Sequence, residues 1–449
     1  MVTNCKYLIY IDEKGTQETI QALGNLKTPY DDRQKIELGT DKMKDFVAAA
    51  VLYEQVHAEN IEQAYLKLEE QYKNTSQKYS NSDVELKGNH ILKKNFKYGV
   101  ADLNGPRLTF YNRLIDMLSR NQVKTHVFLV NKISLAVDKR FKNWLIKVCD
   151  RYDQIIYFNL AYSLIKYIEL EASKEVIQAL FNPNISNTRV LKFIHADIKK
   201  FVRKHTNSLN KRMLLQLNNY KQIIAIIDNY AMYLIDDKYA EQDRFITLDW
   251  KKAVFNMDLW LTELKLERKS ATLHLDEGFK AEIFNDLHLN QIHADLDSKN
   301  FVGLRIADVL VVFIGNYISK LTYASMYDKD NPYKQKFLPS DFFNLTEEQF
   351  LFLKKLYAYL YLDGHTYSIT NDLYFDSSLL FQTFLSYISE YNNYAQYRSV
   401  PSEEHPKRHL KEFAIIYKLK MKNAERDDHL IKSIFDGHGN AIKLGIARP

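Results

Sequence analysis

One stretch of the sequence organises the prediction of the fold: Asp297-Ser298-Lys299-Asn300-Phe301-Val302-Gly303-Leu304-Arg305-Ile306-Ala307-Asp308-Val309-Leu310. It is typical of a loop that leads directly into a helix. The residues from Val302 to Ile318 are mostly apolar, and a helix that is apolar on all sides is buried inside a domain. Asp308 is the one carboxylate in this run, and an ionised carboxylate away from water needs a cation or another partner. The partner of Asp308 is therefore the first thing that the fold has to explain.

Short apolar runs elsewhere in the chain predict a sheet. Lys6 to Ile11, Thr125 to Ile133 and Ala271 to Asp276 have strand length and are rich in β-branched and aromatic residues. Gln291 to Leu296 alternates as a strand does, and Arg33 to Leu38 is a further, polar strand candidate. The predicted fold is α/β, with a mixed sheet of about five strands and flanking helices.

Helical spacing of apolar residues recurs between and after these strands. Lys44 to Asn74, Pro106 to Arg120 and Phe279 to Leu287 are predicted helices, and Asp83 to Gly88 is a short extended segment. The predicted organisation has four parts: a first core segment (1–137), a helical insertion (138–268), a second core segment (269–325) and a helical C-terminal region (326–449).

Composition sets broad limits. The chain has 449 residues, a formal net charge of +6 and 46% hydrophobic residues, values that suit a soluble protein and permit a nucleic-acid partner without requiring one. Its two cysteines, Cys5 and Cys149, form no zinc pattern and are expected to be reduced thiols. We expect a cytoplasmic location and no membrane contact. A protein partner, if one binds, is expected at the helical insertion or the C-terminal region.

Carboxylates follow two of the predicted strands. Both Ile11-Asp12-Glu13-Lys14-Gly15 and Leu275-Asp276-Glu277-Gly278 end an apolar run with an acidic pair, and the helix adds Asp308. Clustered carboxylates cannot all ionise without a cation between them, and oxygen ligands suit Mg²⁺ or Mn²⁺. Such ions can activate water and stabilise the leaving oxygen in phosphodiester cleavage. This pattern favours a metal-dependent nuclease.

Each of these features also has a structural explanation. Asp-Glu before Gly is a common turn, and Asp308 can pair with Arg305 or with a lysine elsewhere. His274, His288 and His293 lie near Asp276 in sequence, but no metal-ligand spacing such as H-E-x-x-H supports zinc binding or base catalysis by them.

Two segments resemble the bacterial domain-of-unknown-function 3800 family. Members of that family tend to open with Y-I-D-E-S-G and to close with a D-S-x-x-x-x-G-x-Q-x-A-D helix, and this chain has Tyr10 to Gly15 and Asp297 to Asp308. The resemblance covers roughly residues 5–135 and 270–322. It implies an RNase H-like fold and nuclease activity, in some members within phage or mobile-element defence.

Carried over position by position, the resemblance implies an acidic site, and basic residues of the same segments are predicted separately as nucleic-acid contacts. The acidic residues are Asp12, Glu13, Glu85, Asp276 and Asp308. The predicted nucleic-acid contacts are Lys14, Lys87, Lys132, Lys299 and Arg305.

The chain departs from the family pattern at two positions, where Lys14 replaces the usual Ser and Arg305 the usual Gln. Either cation can take the place of a metal or can contact a substrate phosphate. The first case gives an alternative function: a catalytically inactive RNase H-like module that binds nucleic acid or a partner protein. A third alternative is a scaffold that works through its C-terminal helices.

Overall fold

A computed structural model describes residues 5–14, 20, 22–28, 31–38, 43–75, 85–92, 96–208, 211–236, 246–248, 250–327, 336–362 and 366–444. The predicted turn at Gly15 and the first two residues of the predicted extended segment, Asp83 and Val84, lie outside these ranges.

The centre of the fold is a six-stranded mixed sheet. Its strands are β1 (Tyr7–Lys14), β4 (Asp45–Glu54), β5 (Lys124–Asn131), β6 (Ala271–Asp276), β7 (Gln291–Leu296) and β10 (Ile369–Asn371). They lie in the order β10-β5-β4-β1-β6-β7. β4 runs antiparallel to both of its neighbours, β1 and β5, whereas the β1–β6, β6–β7 and β5–β10 pairs are parallel. The predicted α/β class is therefore confirmed.

Helices and short hairpins make up the rest of the described chain. Two small sheets pair β2 (Ala22–Thr28) with β3 (Asp31–Leu38) and β8 (Met326–Tyr327) with β9 (Lys336–Phe337). The helices are α1 (Ala58–Asn74), α2 (Gly88–Ile91), α3 (Gly105–Arg120), α4 (Lys132–Arg151), α5 (Tyr157–Leu170), α6 (Lys174–Leu180), α7 (Asn187–His205), α8 (Lys211–Tyr230), α9 (Trp250–Glu263), α10 (Val302–Ala324), α11 (Glu347–Tyr357), α12 (Asp376–Ser389), α13 (Tyr394–Arg398), α14 (His405–Phe435) and α15 (His438–Lys443). A π-helical turn, Ala358–Leu362, follows α11, and Ala281–Leu287 is a 3-10 helix.

The sheet is the middle layer of the molecule, because its strands alternate between two cores. Ile9, Ile11 and Ala48 belong to a core that also contains α4, α5 and α7 to α9. Tyr10 and Val47 face the opposite core, which contains α1, α3, α10, α11 and α12. The predicted helical insertion therefore packs directly on one face of the sheet.

The prediction of one helix from Lys44 to Asn74 is wrong in its first part. Asp45–Glu54 is a strand, and only Ala58–Asn74 is helical. The run from Phe46 to Tyr53 is apolar at every position, so it matches a helix template as well as a strand template. It forms a strand because it is buried on both faces of the sheet, between β1 and β5.

The C-terminal region also contributes to the central sheet, which its sequence does not predict. Its strand β10 has only three residues and pairs with β5. A strand this short gives no periodic signal in the sequence.

Helix α10 crosses the sheet over β1 and β4 and is mostly buried. It is long and apolar enough to span a membrane, but 72% of its most apolar window is buried inside the protein, as in the core helix of a soluble protein. Gly303 allows the close approach to β1, since a Cβ added there would lie 2.4 Å from the ring of Tyr10.

We expect Gly303→Ala to destabilise the protein by about 1–3 kcal/mol, because the added methyl group overpacks the contact between helix and sheet. The cost should be smaller in a Tyr10→Leu background, where the ring is gone. Unfolding free energies of the wild type, both single variants and the double variant measure this. Additive costs in the double variant would contradict the contact.

Candidate functional site

The carboxylates of Asp12 and Asp276 lie side by side at the ends of two parallel strands. The register pairs Ile11 of β1 with Leu275 of β6, so Asp12 and Asp276 are the next residues on each strand. Their side chains fall on the face that α10 covers, because two residues earlier on each strand Tyr10 and His274 stack there at 4.6 Å. Burial and the nearby His293 lower the pKa of His274 to about 4, so this ring is neutral.

Asp308 reaches the same region from α10. It accepts a hydrogen bond of 2.6 Å from the backbone N–H of Gly88, the first residue of α2. Gly88 packs so closely on Val312 that a Cβ would lie 2.6 Å from it. The helix therefore fixes both Asp308 and the segment from Glu85 to Gly88.

Glu85, Lys87 and Ser298 form a compact polar network beside Asp308. Lys87 Nζ lies 3.1 Å from Glu85 Oε1 and donates to Ser298 Oγ at 2.7 Å. Ser298 Oγ in turn donates to Glu85 Oε2 at 3.1 Å. Glu85 and Ser298 are buried, whereas the Lys87 side chain is 38% exposed. Lys87 thus places a positive charge beside these acids while its side chain stays partly open to solvent.

Arg305 points away from Asp308 and holds the surrounding loop. Its guanidinium donates to the carbonyl oxygens of Ser298 at 3.1 Å and Lys299 at 2.7 Å, and to Glu69 Oε2 at 3.1 Å. Its Nε is 4.0 Å from Glu85 Oε1. The sequence hypothesis that Arg305 pairs with Asp308 is wrong. Because its donors are committed to the protein, Arg305 is a positioning residue and does not fit the predicted nucleic-acid contact.

Lys14 lies across the middle of α10. Its Nζ donates to Asn89 Oδ1 at 3.2 Å, and its Cδ lies 3.2 Å from where a Cβ on Gly315 would be. Its positive charge partly opposes the rise in the pKa of Asp308. Lys14 therefore contributes positive charge near the site.

Burial and neighbouring acids raise the pKa values of Asp12, Asp276 and Asp308. Burial and then the charges of Asp308, Glu13 and Asp276 raise the pKa of Asp12 well above its usual range. Burial is also the main reason why the pKa of Asp276 and of Asp308 is raised, and Lys87 partly opposes the rise in both. At Asp12 the charges of three neighbouring acids add to the effect of burial, so a cation beside it would favour the ionised carboxylate.

The donor set suits Mg²⁺ or Mn²⁺ in chemistry, since all its atoms are carboxylate oxygens. Within the described ranges, no three His, Cys, Asp or Glu side chains stand close enough together to hold a metal ion. Asp12, Asp276 and Asp308 are the residues whose raised pKa values a divalent cation would relieve.

Besides Arg305, two of the predicted site residues do not fit their predicted roles. Glu13 pairs across the sheet with Ala48, whose side chain is in the opposite core, so Glu13 lies on the other face of β1 from Asp12. Lys132 is only 1% exposed and donates to the carbonyl oxygen of Leu38, so its ammonium group is not available to a substrate phosphate. Lys299 is exposed in the loop before α10.

Glu69 is a structural member of the site that the sequence prediction missed. It is 2% exposed, binds Arg305, accepts from the backbone N–H of Leu86 at 3.2 Å and pairs with Lys73 at 2.8 Å. It ties α1 to the loop before α10 and to the segment that carries Glu85. Its position in the sequence could have revealed it, because Glu69 lies on the apolar stripe of α1 formed by Ile61, Tyr65 and Leu68.

No known family model, curated protein or solved structure matches this chain.

We expect Asp12→Asn to stabilise the protein at pH 7.5. The pKa of Asp12 is higher in the folded state than its unfolded value of about 3.9. Ionisation of Asp12 therefore lowers the free energy of unfolding as the pH rises from the unfolded pKa to the folded pKa. The variant removes this cost and keeps the oxygen that accepts from the N–H of Glu13 at 2.7 Å. Its melting temperature should exceed the wild-type value by at least about 2 °C, the shift that ~1 kcal/mol gives in a large domain.

The two proteins should converge at about pH 3 and below, where Asp12 is protonated in both states. Thermal melts at both pH values measure this. Asp153→Asn is the matched control, because Asp153 is exposed between α4 and α5 on the other side of the sheet. A less stable Asp12→Asn at pH 7.5 would show that the carboxylate has a structural role.

Proposed function

We propose that this protein is a metal-dependent nuclease of RNase H-like fold that cleaves RNA or DNA phosphodiester bonds in the cytoplasm. The observation that carries the proposal is that Asp12, Asp276 and Asp308 lie in the same region at one end of the sheet, with pKa values raised by burial and by neighbouring acids. Raised pKa values at a group of convergent carboxylates are typical of functional sites.

The topology supports the RNase H-like part of the proposal. Without β10, the sheet has five strands whose order across the sheet is third, second, first, fourth and fifth along the chain, and only the second is antiparallel to the others. This is the arrangement expected of an RNase H-like sheet. The acids lie on the first strand, on its parallel neighbour and on the following long helix, as the family resemblance implies.

Asp12, Asp276 and Asp308 would hold Mg²⁺ or Mn²⁺, with Glu85 next to them. The bound cation would act as a Lewis acid that favours hydroxide formation and stabilises the leaving oxygen. Lys14, Lys87 and Lys299 would contact backbone phosphates from the rim, and Arg305 would keep the loop before α10 in place. The resemblance adds phage or mobile-element defence as the setting.

We expect cleavage of labelled single- or double-stranded RNA or DNA in Mg²⁺ or Mn²⁺, and none in EDTA. Asp12→Asn and Asp308→Asn should each lower the rate by at least about 100-fold, since the loss of even indirect support for a metal site costs 10–100-fold. Asp153→Asn should cleave at the wild-type rate. Equal rates in all four proteins, or cleavage in EDTA, would refute the proposed site.

The second candidate function is a catalytically inactive module that binds nucleic acid or a partner protein. The specific observation in its favour is Lys87, whose ammonium group already pairs with Glu85 and acts on Asp276 and Asp308. In this case the ammonium group of Lys87 supplies the positive charge that a metal ion would otherwise supply.

Manganese binding to wild type and to Lys87→Gln, followed by electron paramagnetic resonance, separates the two candidates. The nuclease predicts that the wild type binds Mn²⁺, that Asp308→Asn does not, and that Lys87→Gln mainly weakens nucleic-acid binding. The inactive module predicts the opposite: no Mn²⁺ bound by the wild type, and a gain of binding in Lys87→Gln because the competing cation is gone.

A further inference from the structure

A cavity of about 1060 Å³ lies between the helices that flank the sheet. Residues of α5, α8, α12 and α14 line it, together with Lys44 before β4 and with Thr322 at the end of α10. Small-molecule sites usually occupy about 300–1,000 Å³. This cavity, which we call the helical cavity, therefore has room for a complete organic ligand.

Three residues that line the helical cavity carry buried polar atoms without a hydrogen-bond partner within the described part of the chain. They are Asn159 Oδ1, Thr322 Oγ1 and His409 Nδ1. A buried polar atom without a partner costs about 1–3 kcal/mol. Three such atoms on one cavity indicate that something else satisfies them.

Two of the three atoms are hydrogen-bond acceptors. The hydroxyl of Thr383 donates to the carbonyl oxygen of Leu380 at 3.2 Å. In its 3.3 Å contact with His409, the same hydroxyl therefore accepts a hydrogen bond from Nε2–H. Burial lowers the pKa of His409 to about 3, so the ring is neutral and its Nδ1 carries a lone pair. The amide nitrogen of Asn159 donates to Glu425 at 2.9 Å, which leaves its Oδ1 as an acceptor. The missing groups are therefore donors.

The charges that line the cavity are balanced and largely paired. They comprise three lysines (Lys44, Lys166 and Lys418) and three acids (Glu169, Asp376 and Glu425). Lys44 pairs with Glu169, and Lys166 pairs with Asp376 at 3.5 Å while lying over the rings of Tyr162 and Tyr417. Two of the lysines are thus already neutralised, which disfavours a phosphate ligand.

Aromatic rings and side-chain amides supply the rest of the lining. Tyr220, Tyr374 and Phe413 are among the rings, and Gln154, Asn218 and Gln222 are among the amides. Rings stack on flat ligands, and amides pair with the edges of nucleobases.

We propose that the helical cavity binds an uncharged, planar heteroaromatic ligand with N–H and O–H donors, of the nucleoside class. The base would stack on the rings, and its amino groups or the sugar hydroxyls would donate to Asn159 and His409. This inference is independent of the proposed nuclease activity, since it uses none of the carboxylates of that site.

The test is calorimetric titration of the full chain in EDTA with adenosine, guanosine, cytidine and uridine, and with each 5′-monophosphate. We expect at least one nucleoside to bind with a dissociation constant below about 1 mM and to raise the melting temperature. Its monophosphate should bind no more than about twofold more tightly, because the cavity offers little unpaired positive charge.

Thr322→Val and Ala414→Trp locate the binding. Thr322→Val should leave the unliganded melting temperature unchanged or higher, because no hydrogen bond is lost, and should weaken nucleoside binding by about 2–10-fold. Ala414 lines the cavity, so Ala414→Trp should abolish binding, whereas Ala196→Trp on the exposed face of α7 should not change it.

Three results would each overturn the proposal: no nucleoside binds the wild type, binding requires the phosphate, or Ala414→Trp binds as the wild type does. None of these depends on cleavage, because metal is absent from the titration.

Discussion

The structure depends on the packing of α10 across β1 and β4. The helix is apolar on nearly every side and carries one carboxylate, Asp308, into the layer between helix and sheet. Close approach is possible because Gly303 of α10 lies against Tyr10 of β1, and Gly88 of α2 lies against Val312 of α10. The same packing that buries the largest apolar helix therefore brings Asp308 next to the strand-end acids.

The compensation of buried charge explains most of the polar structure around this helix. Glu69 and Arg305 satisfy each other and close the loop before α10, and Lys87 and Ser298 satisfy Glu85. Asp12 is different, because it is buried and its acidic neighbours raise its pKa. Strongly raised carboxylate pKa values of this kind are common at functional sites.

The sequence predicted the parts of the fold that have strong local patterns. Ala271–Asp276 and Gln291–Leu296 are strands with the predicted bounds, and Asp12 and Asp276 follow paired residues of two neighbouring parallel strands. The strand Asp45–Glu54 was read as helix, because a uniformly apolar run fits both periods. Glu69 was missed, and Arg305 was given the wrong partner, because side-chain partners across elements depend on packing that no local pattern encodes.

The pairing of β5 with β10 affects how this chain must fold during synthesis. The N–H of Val127 donates to Ser368 and the N–H of Asp372 donates to Leu129, contacts that join segments about 241 positions apart. Until the later segment has been made, one edge of β5 presents unpaired backbone groups. At 5–20 residues per second this lasts on the order of 10–50 s. The C-terminal region therefore protects a strand edge that the growing chain exposes for most of its synthesis.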